Sequence, residues 1–330
     1  MKRPTLQVVA VRAGVSKSSV SRVINGETTV APEIRDVVMR AVRELGYVPN
    51  GAARNLVTRR TDTLAVVVSD PPQGVVSDDP LFSTVVRTVS RELESAGKRL
   101  LLMLAESDRS RTEVERYIAG GHVDGVMLVA LHGADPLPAA LARQGLPVVS
   151  FNRTSAPDIP YVALDNAGGA ALAVRHLLQR GRRRIAAITG PLELYEARER
   201  LEGYRQPLRD TGRRSIVALG DFTRASGAEA MRQLLEDDPH LDAVFASNDL
   251  MAIGALRTLH RAGRRVPEDV AIVGFDDIEA ASYTSPALTS VRSPMADQAT
   301  AAVRLLLSLI EGGSTDPVIM PNELVVREST

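Results

Sequence analysis

A chain of 330 residues, 44% hydrophobic and 24% charged, is long enough for two or three globular domains with substantial cores. It holds no cysteine, which excludes disulfides, thiolate zinc sites and cysteine nucleophiles, and no apolar run of about 18 residues that would cross a membrane. Its zero net charge divides unevenly: residues 1–60 carry eleven Lys/Arg against four Asp/Glu, a net +7, and residues 61–330 carry the balancing −7. A basic segment on an acidic body suits a polyanionic partner. The N-terminus never reaches an apolar stretch with a cleavage site, so the cytoplasm is the expected compartment.

Leu6, Val9, Ala10 and Ala13 follow helical spacing, with Thr5 at the N-cap position. Gly14 and Val15 make a turn, and Ser16 caps a second short helix whose inward residues are Val20, Val23 and Ile24. Helix, glycine turn and helix form a helix-turn-helix pattern. The outer face of the second helix offers Lys17, Ser18, Ser19, Ser21, Arg22 and Asn25, and no acid occurs from Lys17 to Gly26. Hydroxyls, an amide and cations are the groups that reach base edges and phosphates. Pro32 opens a third helix with Ile34, Val37, Val38, Ala41 and Leu45 as its apolar residues, and Gly46 ends it. A short helix-capable piece, Gly51–Val57, then leads into the basic Thr58-Arg59-Arg60.

Beyond residue 60, short apolar runs alternate with helical stretches. Strands are expected at 64–69, 100–105, 125–130, 148–151, 185–189, 216–219, 243–247 and 270–275. Helices are expected at 83–96, 167–180, 199–211, 225–236 and 250–262. This alternation predicts parallel sheets covered by helices, and eight or so strands suit two doubly wound halves. The chain is expected to pass between the halves near residues 156–164, 289–294 and 318–324. Such folds bind ligands at the carboxyl ends of their strands. Those ends carry Asn152-Arg153, Asn248-Asp249 and Asp276-Asp277, with Arg200 early in a helix and Phe222 beyond Gly220-Asp221. Asp276 can accept from vicinal hydroxyls, Arg200 can donate in a fork and Phe222 can stack on a C–H face, which suits a sugar. Asp249 and Asp277 read as caps.

The stretch TLQVVAVRAGVSKSSVSRVINGETTV, with ELGYVPNGAARNL after it, resembles the headpiece and hinge of the LacI/GalR family of bacterial repressors. Arg200-Leu201-Glu202-Gly203 matches the family's Arg-x-x-Gly segment, and SNDLMAIGALRTLHRAGRRVPEDVAIVGFDDIEAASYTSPALTSVRSP is similar to its sensor domain. The resemblance implies an all-α helix-turn-helix headpiece at 1–48 and a hinge helix with linker at 49–60. At 61–330 it implies an α/β sensor of two doubly wound, periplasmic-binding-protein-like subdomains. The first subdomain is expected at 61–160 and 293–320, the second at 163–290 and 322–330. It further implies DNA contacts by Thr5, Lys17, Ser18, Ser19, Ser21, Arg22 and Asn25, with Asn50, Ala53 and Arg54 lining the hinge and Leu56 wedged into the minor groove. Effector contacts are implied at Phe82, Asn152, Arg200, Phe222, Asn248 and Asp276. Three positions depart from the family pattern: Val8 and Asn152 stand where Asp is usual, and Ile34 where Thr is common.

The expected molecule is therefore a homodimeric repressor whose affinity for a pseudopalindromic operator is switched by a small molecule, most simply a sugar. No trailing heptad segment follows Glu323, so no coiled-coil tetramer is expected. An enzyme is disfavoured, because neither G-x-G-x-x-G, G-x-x-x-x-G-K-[ST] nor G-x-S-x-G occurs. His122, His132, His176, His240 and His260 lack metal-ligand spacing, and neither a cofactor nor a metal is expected. A periplasmic sugar-binding protein would share the sensor architecture but would carry no headpiece.

Overall fold

The computed structural model describes residues 4–24, 27, 29–47, 60–69, 80–129, 135–313 and 316–330. Residues 1–61 and 62–330 form separate compact units. Asn25 and the hinge residues Asn50, Ala53, Arg54 and Leu56 lie outside the described residues.

The N-terminal unit consists of α1 (Leu6–Ala13), α2 (Lys17–Ile24) and α3 (Pro32–Leu45). Val9, Ala10, Ala13, Val20, Val23, Val38 and Ala41 form its core, with Val15 and Ile34 packed against it. Ile34, the departure from Thr, is thus half-buried packing material. Ser16 caps α2 as expected, its Oγ accepting from Ser19 N at 3.0 Å. Thr5 occupies the N-cap position of α1, but its side chain makes no capping bond. Its carbonyl instead accepts from the N–H groups of Val8 and Val9.

The second unit contains two six-stranded sheets. The first uses β1 (Thr63–Ser69), β2 (Arg99–Ala105), β3 (Gly125–Val129), β4 (Val148–Phe151), β5 (Tyr161–Leu164) and β11 (Val318–Met320). Its strands are all parallel, in the order β11-β5-β4-β3-β1-β2. The second uses β6 (Ile185–Thr189), β7 (Ile216–Leu219), β8 (Ala243–Ala246), β9 (Ala271–Asp276), β10 (Thr289–Arg292) and β12 (Glu323–Val325). Its order is β12-β10-β9-β8-β6-β7, and only β12 runs antiparallel.

The period-two alternation of each strand sorts side chains onto two helix-covered faces. In the first sheet, Leu64, Val66 and Val68 meet α4 (Pro80–Ser95) and α12 (Met295–Ile310), while Ala65 and Val67 meet α5 (Asp108–Ala119) and α6 (Leu137–Ala142). In the second, Ala186 and Ile188 meet α9 (Arg224–Asp237) and α10 (Asp249–Arg261). On its other face Ile185 and Ala187 meet α7 (Asn166–Gln179) and α8 (Tyr195–Asp210). The short α11 (Glu279–Ser282) follows β9. Helices α7 and α8 approach closely at Gly203, where a Cβ would lie 2.1 Å from the Ala167 carbonyl oxygen.

All eight expected strands form. Four further strands, β5, β10, β11 and β12, lie on the segments that pass between sheets. The first passage comes later than the expected boundary at 160–163, because Tyr161–Leu164 pairs with β4 in the first sheet. The chain leaves that sheet at Asp165, crosses back between β10 and α12, and crosses again between β11 and β12.

Candidate functional site

On the N-terminal unit, Lys17, Ser18 and Arg22 project outward from α2, and Ser21 is half-buried. The Ser16 hydroxyl lies 2.8 Å from those of both Ser18 and Ser19, so the half-buried Ser19 is engaged in the turn. Glu27 follows the acid-free stretch and stands 3.8 Å from the Arg22 Nε, so one carboxylate does reach the recognition face. On α2 itself the exposed charges, Lys17 and Arg22, are cationic, which suits phosphate.

In the second unit the candidate residues converge around a buried guanidinium. Arg200, in the second turn of α8, donates from Nε to Asn166 Oδ1 at 2.9 Å and from Nη1 to the Ser247 carbonyl at 2.6 Å. Its Nη2 pairs with Asp276 Oδ1 at 3.3 Å, and its guanidinium carbon lies 3.8 Å from the Phe275 ring centroid. Three of its five N–H groups are thus held by the protein. Asp276 ends β9 and also accepts from Ser293 Oγ at 3.1 Å through the same Oδ1. Burial raises the Asp276 pKa, and Arg200 and Ser293 pull it back.

Carboxyls crowd this cation. Burial likewise raises the pKa of Glu196, one turn before Arg200, which draws it back while Glu199 and Asp276 push it up. Asp249 accepts from Ile278 N at 2.8 Å and from Ser290 Oγ at 2.6 Å, and burial raises its pKa to about 8. Asp277 is held by Arg292 at 2.9 Å and Arg327 at 2.5 Å. Both acids are held by protein groups, but neither is the cap expected of it, since Asn248 caps α10 and Asp277 is bound by two arginines.

Phe222 follows β7, and its ring covers Gly190 so closely that a Cβ there would lie 2.2 Å away. Its carbonyl accepts from Asn248 Nδ2 at 3.0 Å, while Asn248 Oδ1 caps α10 by accepting from Met251 N at 2.9 Å. Asn248 therefore orients Phe222 and has one N–H to spare. Phe82, in the first turn of α4, is half-buried against the first sheet's core. Asn152 follows β4 and receives a 3.0 Å hydrogen bond from Gln298 on α12. Among the described residues, four of the five non-glycine positive φ values fall at strand carboxyl ends: Asn152 (96°), Phe222 (70°), Asp276 (99°) and Asp277 (54°). Strained backbone of this kind clusters where a fold aims side chains at a ligand.

The two halves touch at this place. Arg153, after β4, pairs with Glu199 of α8 at 2.7 Å, and Glu199 accepts from Asn166 at 3.2 Å.

Residues 5–50 match the bacterial regulatory proteins of the lacI family, and residues 174–330 match the periplasmic binding protein-like domain. The HTH-type transcriptional regulator CelR of Thermobifida fusca is 46% identical over 99% of this chain and 98% of its own. The chain belongs to the LacI family of bacterial regulatory proteins. A solved complex of transcriptional regulator CelR with cellobiose superposes at TM-score 0.78, with 44% identity, over 99% of this chain and all of its own. The lac repressor dimer bound to operator and the anti-inducer ONPF gives TM-score 0.90 at 28% identity, covering 100% and 99% of the two chains. As a LacI-family member the protein is a sequence-specific DNA-binding transcriptional regulator. No helix among the described residues is long and apolar enough to cross a membrane, and none of their His, Asp or Glu residues group as a metal site.

The family pattern had not drawn attention to Asn166, Glu196, Glu199, Ser293 or Gln298. Two of these carry a legible signal. Ser293 lies on an expected passage between halves, and Gln298 is a lone carboxamide beside the apolar Ala299, Ala302 and Val303.

Proposed function

We propose that this regulator is a cytoplasmic homodimeric repressor whose hold on a pseudopalindromic operator is switched by a sugar, a cellobiose-type disaccharide, bound where the carboxyl ends of its two sheets meet. The reading rests on one observation: a buried Arg200–Asp276 pair with two N–H groups and one carboxylate oxygen unassigned, beside the ring of Phe222. Donors, an acceptor and an aromatic face together match a polyhydroxylated ring. The ligand is bound rather than transformed, and its binding energy biases one arrangement of the two halves over another. The Arg153–Glu199 pair, which spans the halves, changes with that arrangement.

At the other end of the chain, Lys17, Ser18, Ser21, Arg22 and Asn25 contact bases and phosphates in the major groove. Thr5, at the start of α1, and Ser19, in the turn, add DNA contacts, and Asn50, Ala53, Arg54 and Leu56 act at the operator's centre. The dimer's twofold axis matches the operator's symmetry. CelR has been solved with cellobiose, and its likeness covers nearly the whole chain. The test is a mobility-shift assay on the DNA upstream of the regulator's own gene. Site-specific, salt-sensitive binding that changes when cellobiose is added is the expected result. Binding indifferent to sequence removes the operator assignment, and binding unchanged by millimolar cellobiose removes the sugar.

A further inference from the structure

Gln298 is fully buried in the first turn of α12, where its Nε2 donates to the Val162 carbonyl at 2.8 Å and to Asn152 Oδ1 at 3.0 Å. A backbone carbonyl can only accept, so the nitrogen of Gln298, not its oxygen, must face Val162. Both hydrogens of that nitrogen are then committed, and the second needs the oxygen of Asn152. The Val162 carbonyl fills its other lone pair with the Asn152 N–H at 2.9 Å. Reversing the Asn152 amide would set one NH₂ group against another. Reversing Gln298 would set its oxygen against the Val162 oxygen. The buried Gln298 Oε1 has no partner, and even that cost does not turn the amide over.

Asn152 is therefore locked at both ends, by a backbone at φ 96° and by an oxygen already engaged. What it can present to a ligand is its amide nitrogen, a pure donor. We infer that Gln298 is a positioning residue that fixes Asn152 as a hydrogen-bond donor toward the effector, so that the effector meets it with a hydroxyl acting as acceptor. This inference rests on the sugar-binding reading above. An aspartate, the residue usual at this position by family resemblance, would accept from Gln298 through one oxygen and turn the other toward the ligand. That carboxylate would demand an O–H donor. The Asn152–Gln298 pair thus reverses the polarity required at one side of the site, while Asp276 Oδ2 keeps an acceptor at the other.

The test uses the full-length protein, isothermal titration calorimetry, and cellobiose beside its series of monodeoxyfluoro analogues. Fluorine accepts weakly and cannot donate, so it discriminates the two polarities. Wild-type protein is expected to tolerate fluorine at one position to within about threefold. Asn152→Asp should lose about tenfold or more at that same position relative to cellobiose, because a carboxylate now faces a group without a proton. Gln298→Leu frees the Asn152 amide to offer its oxygen to a hydroxyl but not to fluorine, so this variant should lose the wild-type tolerance and bind that analogue about fivefold or more weakly than cellobiose. An even loss across the series in Gln298→Leu, with the wild-type pattern kept, overturns the positioning role and leaves the sugar reading intact. Should Gln298→Leu fail to fold, an Asn152→Asp series that ranks like wild type overturns it equally. If wild-type protein binds no member of the series, the sugar reading falls and the inference with it.

Discussion

Arg200 draws Asn166 of α7, the carbonyl of Ser247 after β8 and Asp276 of β9 onto one guanidinium, over the ring of Phe275. A buried ion pair contributes little by itself, but removing one partner leaves a charge stranded. Arg200→Met should therefore cost the second unit about 3 kcal/mol in urea unfolding and abolish any change in DNA affinity on adding the sugar. A loss of that response without loss of stability would mean that the pair is not buried as described. Asp249 allows a cleaner test. Its folded pKa of about 8 lies above the ordinary carboxylate value near 4, so between those two pH values the native state holds a proton that the unfolded chain has lost. Its contribution to stability is complete at low pH and disappears as pH rises toward 8. The wild-type urea midpoint should fall between pH 5 and 8, at up to about 1.4 kcal/mol per pH unit, and Asp249→Asn should flatten that fall. Equal slopes in the two proteins would place the titration elsewhere. At this scale the strand-end residues could be read from sequence because strand ends are where doubly wound sheets bind ligands. Asn166 left no such mark, since it reaches Arg200 from a helix 34 residues away in sequence.

Helix–helix spacing makes its own demand. At Gly203 of α8 the backbone of α7 comes so near that any side chain meets the Ala167 carbonyl. Gly203→Ala should destabilise the second unit by about 2–3 kcal/mol in urea titration, against the small gain that alanine gives at an open helical site. A neutral result would show that the two helices can separate without cost. Strands of four to seven residues with unbroken apolar runs were legible, because burial on both faces leaves few polar residues in them. The strands missed were β5, β10, β11 and β12, each three or four residues long. In β11 and β12 no residue is fully buried, so neither an apolar run nor an alternation of two periods can develop. Geometry also explains Thr5: at the N-cap position its carbonyl, rather than its hydroxyl, meets the first N–H groups of α1.

Across the molecule, charge is arranged by function. The first sixty residues carry the net +7, and operator binding should weaken steeply with salt because phosphate contacts displace counterions. Lys17→Ala should lower affinity for operator and non-operator DNA alike and reduce the slope of log affinity against log salt by about 1, measured by fluorescence anisotropy. A loss confined to one operator would instead make Lys17 a base reader. The helix-turn-helix could be read from spacing alone, and the chain changes sheets at or just beyond the three passages expected from sequence. That interleaving bears on how the protein is made. The first sheet is laid down early in synthesis, yet Ala299, Ala302, Val303 and Leu306 of α12 complete one of its faces, and β11 supplies its last strand. While the ribosome builds the whole second half, Leu64, Val66 and Val68 wait with that face unfinished. The nascent chain thus carries an open apolar surface until α12 and β11 emerge, and a chaperone that shields it should raise the yield of active repressor.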